Sequence, residues 1–243
     1  MSILSGIKNN IKRFLIFTKI DLTKNIKYDR LTAKIIKKCV SKDSVCIDVG
    51  AHKGEILSLI QARAPKQKHY AFEPIPQYYQ LLKNNFGESC EIYPFALSDK
   101  EGQSSFQFVT NAPAYSGIQK RSYKVKNPNI LELQVDLKKL DDIIPLETKI
   151  DLIKIDVEGA EFSVLKGAKE TIKRTKPTII FECGLGASDF YGFTPEEFFT
   201  FVVNELNMNL FTLENFLENK QSINNQEFFK YYKNGSEYYF VIN

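Results

Sequence analysis

The residues able to do chemistry are mostly carboxylates, and they fall where apolar runs end. Asp48 lies in the run Val45-Cys46-Ile47-Asp48-Val49, just before the turn Gly50-Ala51-His52-Lys53-Gly54. Glu73 closes His69-Tyr70-Ala71-Phe72, 23 residues after Gly50. Asp156 closes a second apolar run beginning at Ile150, Glu158 follows two residues later, and Glu182 closes a third beginning at Pro177. Carboxylates in such places can accept ribose hydroxyls, complement a cation, take a proton or gather a hard metal ion.

The glycine turn narrows these choices. Gly50 permits a tight turn and close backbone approach to a ligand, and Gly54 opens the next helix. A dinucleotide fingerprint needs a second glycine facing the pyrophosphate, and His52 stands at that position. An acidic residue such as Glu73, at this distance beyond the turn, suits ribose hydroxyls. The combination fits a nucleoside ligand without a diphosphate, of which S-adenosylmethionine is one. Its ammonium and sulfonium are complemented by Asp48, which would repel phosphates.

Such residues need strands to carry them. Val45–Val49, His69–Glu73, Glu91–Phe95, Ile150–Val157 and Pro177–Cys183 read as strands. Helices are expected over Glu55–Ile60, Tyr78–Phe86, Ala160–Thr171 and Pro195–Leu206. This alternation implies right-handed crossovers and a mostly parallel sheet with helices on both faces. Asn209–Leu213 and Glu237–Ile242 suggest an antiparallel hairpin closing the C-terminal edge. Ser104–Val109 and Leu131–Val135 flank the loop around Tyr115, making 103–135 an expected insertion in a domain over 41–243.

The chain has 243 residues, 43% apolar and 26% charged, the balance of an ordinary globular domain. The first forty residues carry ten Lys/Arg against two Asp, a net +8 in a chain of net +4, so the remainder is acidic at −4. That distribution argues against a nucleic-acid binder. Ile7, Ile11, Phe14 and Leu15 fall at helical spacing among basic residues. The basic extension over 1–40 therefore reads as helical, packed on the domain or lying on an anionic membrane surface. Four scattered cysteines without metal-ligand spacing suit reduced thiols in a cytoplasmic protein.

The blocks Ile47-Asp48-Val49-Gly50-Ala51, Phe72-Glu73-Pro74, Ala96-Leu97-Ser98-Asp99 and Ile153-Lys154-Ile155-Asp156-Val157-Glu158-Gly159-Ala160-Glu161 resemble the FkbM-type S-adenosylmethionine-dependent methyltransferases. The similarity runs over about residues 44–184, and its last block continues to Val164-Leu165-Lys166-Gly167. It implies a class I, Rossmann-like methyltransferase fold and O-methylation of a saccharide, glycoconjugate precursor or natural product. It also implies that Asp48, Gly50 and nearby backbone hold the methionine end, Glu73 the ribose, and Leu97 and Ser98 the adenine, with Gly54 among the cofactor-binding residues. His52, where the family often has Asn, would contact the cofactor. The loop holding Tyr115 and Ser116 would face the acceptor as a lid.

An acceptor hydroxyl must lose a proton. Asp156 and Glu158 are the favoured bases, with Glu182 a third. Two-residue spacing would put Asp156 and Glu158 on one side if the strand persists. His52 is the one plausible imidazole base, since His69 begins a strand away from the crevice. The three carboxylates could instead gather magnesium, although no metal is expected. Two other functions compete: a non-catalytic nucleoside-binding module, and a nicotinamide oxidoreductase lacking its central glycine.

Overall fold

The computed structural model describes residues 23–120 and 125–243. The amphipathic pattern over residues 7–15 lies outside the described residues.

Five strands form the parallel part of a seven-stranded sheet: β1 (Cys46–Val49), β2 (His69–Phe72), β3 (Cys90–Tyr93), β7 (Leu152–Ile155) and β8 (Thr178–Glu182). Their order is β3-β2-β1-β7-β8, continued by β10 (Tyr239–Ile242) and β9 (Leu210–Thr212). β10 runs antiparallel to both β8 and β9, so the C-terminal strand is inserted inside the edge. β1 and β7 are buried at every position, as strands covered on both faces must be. The order reverses between β1 and β7, which places the crevice of an open α/β sheet at their carboxyl ends.

Alternation assigns the two faces. Ile47, Ile153, Ile179, Phe181 and Phe240 join Leu165, Phe198 and Phe228 in one core. Cys46, Leu152, Ile180 and Val241 join Leu31, Ile35 and Ile60 in the other. The first core is covered by α4 (Glu161–Gly167), α5 (Lys169–Thr175), α6 (Pro195–Thr200) and α8 (Asn225–Asn234). The second is covered by α1 (Lys24–Cys39), α2 (Glu55–Arg63) and α7 (Leu213–Leu217). Within α1, Thr23 caps the start by accepting from the Ile26 N–H at 3.3 Å. The Tyr28 hydroxyl donates to Glu237 at 2.7 Å, tying α1 to the chain just before β10. α3 (Pro76–Phe86) follows β2.

A smaller sheet in the order β4-β6-β5 joins β4 (Ala96–Leu97), β6 (Ile130–Lys138) and β5 (Gly102–Val109). β5 and β6 pair antiparallel from Gly102 opposite Leu137 to Val109 opposite Ile130. Its apolar face, Phe106, Phe108, Val135 and Leu137, packs on Ile75 and Tyr78 at the start of α3.

The expected helix over 160–171 is interrupted: Ala168 separates α4 from α5. Gly167 explains the close approach there, since a Cβ on it would lie 1.9 Å from the Ser98 carbonyl oxygen. Gly167→Ala is therefore expected to destabilise the fold by roughly 1–3 kcal/mol. In a chain this long each kcal/mol lowers the melting temperature by about 2–4 °C, so thermal melts check it. The segment after α6 continues to Glu205 as a π-helical turn. All four cysteines are unpaired, with Cys46, Cys90 and Cys183 buried. Among the described residues no helix is long and apolar enough to cross a membrane.

Candidate active site

Strand register builds the site. Asp48 on β1 is paired with Lys154 on β7, Lys154 with Ile180 on β8, and Glu182 on β8 with Tyr239 on β10. Alternation from Cys46, Leu152, Ile180 and Val241 brings Asp48, Lys154, Glu182 and Tyr239 to the face covered by α1 and α2. They meet at the carboxyl ends of β1, β7 and β8, beside a cavity of about 1190 Å³.

Of the residues expected to bind a cofactor, Asp48, Gly50, His52, Glu73 and Leu97 line this cavity. Gly54 and Ser98 are not among its lining residues. Gly54 caps α2 at a φ of +82° and abuts Phe86 and Leu82. Ser98 is buried, its N–H donating to the Lys138 carbonyl at 2.8 Å and its hydroxyl to Asp99 at 3.2 Å. Asp156, Glu158, Glu182, Tyr115 and Ser116 line the cavity as well.

Asp48 is 2% exposed, and its Oδ2 has no hydrogen-bond partner. Burial raises its carboxyl to about 7, against the lowering influence of Lys154. Glu73 accepts from the His52 N–H at 2.8 Å with Oε2 and from the Ile75 N–H at 2.9 Å with Oε1. One carboxylate thus ties the glycine turn to the start of α3. Its own value is also raised to about 7, by burial. Each oxygen keeps a further lone pair for a ligand hydroxyl.

Gly50 has a φ of +77°, and a Cβ there would lie 1.9 Å from the Asp156 carbonyl oxygen. The glycine thus lets two strand ends close on one another as well as turning the chain. His52 adopts a φ of +48°. Its ring meets Tyr78 edge-on at 4.3 Å, and burial lowers its basicity. His69 serves structure: it accepts from the Cys46 N–H at 3.3 Å and bonds the Ala64 carbonyl at 3.0 Å.

The expectation that Asp156 and Glu158 share a side of a continuing strand is not met, because β7 ends at Ile155. Glu158 takes a left-handed φ of +58°. Buried Glu161 fixes that turn, its Oε1 accepting from the N–H groups of Val157 at 3.1 Å and Gly159 at 3.2 Å. Burial and then Glu182 raise Glu161 to about 8. Ser116 accepts from the Val109 N–H at 3.0 Å, fixing the loop to the end of β5. Among the described residues no cluster of three or more His, Cys, Asp or Glu is arranged to hold a metal ion.

Two cavity residues were not evident from the sequence. Lys154 is 3% exposed, and its Nζ lies 3.0 Å from Asp156 Oδ2. The Tyr239 hydroxyl donates to the same oxygen at 2.7 Å. Burial pushes the Asp156 carboxyl up, but Lys154 and Tyr239 outweigh it and hold the group below the usual carboxylate range. A charge inside the apolar run Leu152–Ile155 was the available signal for Lys154. Tyr239 carried no signal until β10 was placed beside β8.

Asp48, Glu73 and Glu161 bind a proton more tightly in the folded chain than carboxyls do unfolded, near about 4. These three carboxyls therefore hold extra protons in the folded state between about pH 4 and about pH 8, and their contribution to stability falls as pH rises through that window. The ligand-free protein is expected to melt higher at about pH 5.5 than at about pH 7.5, with Asp48→Asn reducing the difference. Burial lowers the basicity of His52 and His69, which pull the other way. An Asp48→Asn difference equal to the native one would therefore contradict the burial of the Asp48 carboxyl.

The Methyltransferase FkbM domain profile matches residues 48–213. The 2-O-methyltransferase NoeI of Sinorhizobium fredii is 26% identical over 169 residues, covering 63% of this chain and 68% of that protein. Methyltransferase sdnD of Sordaria araneosa is 28% identical over 156 residues, 51% of this chain and 60% of that one. Among solved structures, an FkbM methyltransferase from Methylobacillus flagellatus KT matches 99% of this chain and 60% of its own at a TM-score of 0.51. Its 13% identity carries the fold alone. A profile match beginning at Asp48 and spanning both halves of the crevice makes this chain a member of the FkbM methyltransferase family.

Proposed function

We propose that the chain is an S-adenosylmethionine-dependent O-methyltransferase acting on a hydroxyl of a saccharide, glycoconjugate precursor or natural product. The observation that carries this reading is Asp48, a residue lining the cavity whose buried Oδ2 has no hydrogen-bond partner. A desolvated carboxylate lacking a donor is costly unless a ligand completes it, and an ammonium does so. Glu73 offers lone pairs to ribose hydroxyls, and Leu97, Phe95 and Ile75 supply an apolar wall for a base. The residues present therefore fit the donor. The similarity to NoeI, a 2-O-methyltransferase by name, supports oxygen as the acceptor atom.

When bound, the donor supplies a methyl group on a sulfonium whose carbon–sulfur bond breaks with its electron pair going to sulfur. The chain's own task is alignment and exclusion of water, worth about 7–11 kcal/mol in favourable cases. The acceptor oxygen forms the new carbon–oxygen bond and releases its proton to a carboxylate, for which Asp156 is best placed. A low-pKa carboxylate suffices, because an oxygen gaining a methyl group becomes a far stronger acid than any carboxylic acid. Glu158 and Glu182 line the same cavity and stand as alternatives.

The test is methyl transfer from labelled S-adenosylmethionine to a panel of saccharides, with products identified by mass spectrometry. A labelled methyl ether is expected, with turnover undiminished by excess EDTA. Donor binding without a product on any acceptor would instead indicate a non-catalytic binding module.

A further inference from the structure

Lys154 poses a question that methyl transfer does not answer. Lysine is almost never fully buried unless paired, and Lys154 lies in a strand of apolar neighbours at 3% exposure. A buried ion pair is weak evidence of added stability, because desolvation offsets the attraction. Its geometry suggests a different service. Nζ reaches Asp156 Oδ2 at 3.0 Å and the Ile155 carbonyl at 3.2 Å, and lies 5.0 Å over the Tyr239 ring. The Tyr239 hydroxyl donates to that same Oδ2 at 2.7 Å. Both donors thus converge on one oxygen of Asp156, and among the described residues none reaches Oδ1. The Asp156 side chain is 34% exposed and lines the cavity.

From this convergence we infer that Lys154 and Tyr239 are positioning residues, which keep Asp156 ionised and turn its second oxygen to the cavity. The inference deepens the function proposed above and rests on it for its purpose, that of presenting a fixed hydrogen-bond acceptor to an acceptor hydroxyl. The other titratable groups around Asp156 are His52 and Asp48 from the β1 side, Glu182 from β8 and Glu158 from its own turn. Of these only His52 can carry a positive charge; its lowering influence on Asp156 is smaller than that of Lys154 and Tyr239, and burial disfavours its charged form. The ionised state of Asp156 therefore depends chiefly on Lys154 and Tyr239.

Carbon NMR of protein labelled at aspartate carboxyls tests this directly, with the Asp156 signal assigned by its loss in Asp156→Asn. In the native chain the signal is expected to stay at its ionised position from about pH 8 down to about pH 5. In Lys154→Met it is expected to titrate inside that window, a shift of at least about one pH unit. Tyr239→Phe removes one hydroxyl and keeps the packing. Followed to lower pH, it is expected to raise the Asp156 proton affinity by about threefold or more, so this variant decides the matter even if Lys154→Met does not fold. A folded Lys154→Met whose Asp156 stays ionised throughout, or a Tyr239→Phe with native proton affinity, overturns the assignment. Calorimetry of S-adenosylmethionine on native protein separates the two claims. Absence of binding ends the proposed function, while the carboxyl titration judges the trio independently.

Discussion

Asp156→Asn is expected to lower methyl turnover by about 10²–10⁴-fold, the usual contribution of a placed proton acceptor. The amide keeps the shape of the carboxylate and can still accept from the Tyr239 hydroxyl, so packing around β10 is retained. On the proposed reading it removes the negative charge that would receive the proton and fix an acceptor hydroxyl. Donor affinity should change little, because the carboxylates proposed to hold the donor, Asp48 and Glu73, belong to the carboxyl ends of β1 and β2, not of β7. Single-turnover transfer at saturating donor measures the first effect, and calorimetry the second. The variant also leaves buried Lys154 without its counter-charge. A loss of stability of about 3–5 kcal/mol accompanies a broken buried pair, so folding must be verified by circular dichroism. Folded Asp156→Asn with native turnover would exclude Asp156 and point to Glu158 or Glu182.

The second large effect is structural. Gly50→Ala is expected to destabilise the fold by about 3 kcal/mol or more and to abolish donor binding. Its backbone is left-handed at a φ of +77°, which costs a non-glycine residue about 1–2 kcal/mol. The new methyl would also stand 1.9 Å from the Asp156 carbonyl oxygen, a backbone atom that cannot swing aside. The two sides of the crevice would be forced apart where Asp48 faces Lys154. Melting temperature and calorimetric titration check both halves. A native-like melt would mean that the β1 and β7 ends are less closely set than described.

The parallel sheet was legible because buried strands announce themselves as short apolar runs between glycine and proline breaks. Val45–Val49 and Pro177–Cys183 each contain an observed strand, β1 and β8. Glu73 and Asp48 were legible as carboxylates at strand ends beside a glycine turn. Other features depended on distances no local pattern encodes. Helix α8 falls in the polar stretch before β10, where Phe228 and Tyr232 alone bury an apolar stripe. The break at Ala168 follows from the approach of Gly167 to Ser98, two segments about seventy residues apart. Locally, Lys154 is one charge within an apolar strand and Tyr239 one aromatic in β10, and neither pattern encodes their meeting at Asp156. Only the insertion of β10 beside β8 brings that hydroxyl to Asp156. The spacing of Asp156 and Glu158 misled in the opposite direction, since local geometry was extended past the point where the strand stops.

The most direct test of the donor site is a calorimetric titration of S-adenosylmethionine into the native chain and into folded Asp48→Asn. Saturable binding by the native protein, weakened by about tenfold or more in the variant (~1.4 kcal/mol), is the predicted result. Native protein that does not bind the compound, or a variant that binds it equally well, would contradict the assignment of Asp48 as the carboxylate completed by the donor's cationic end.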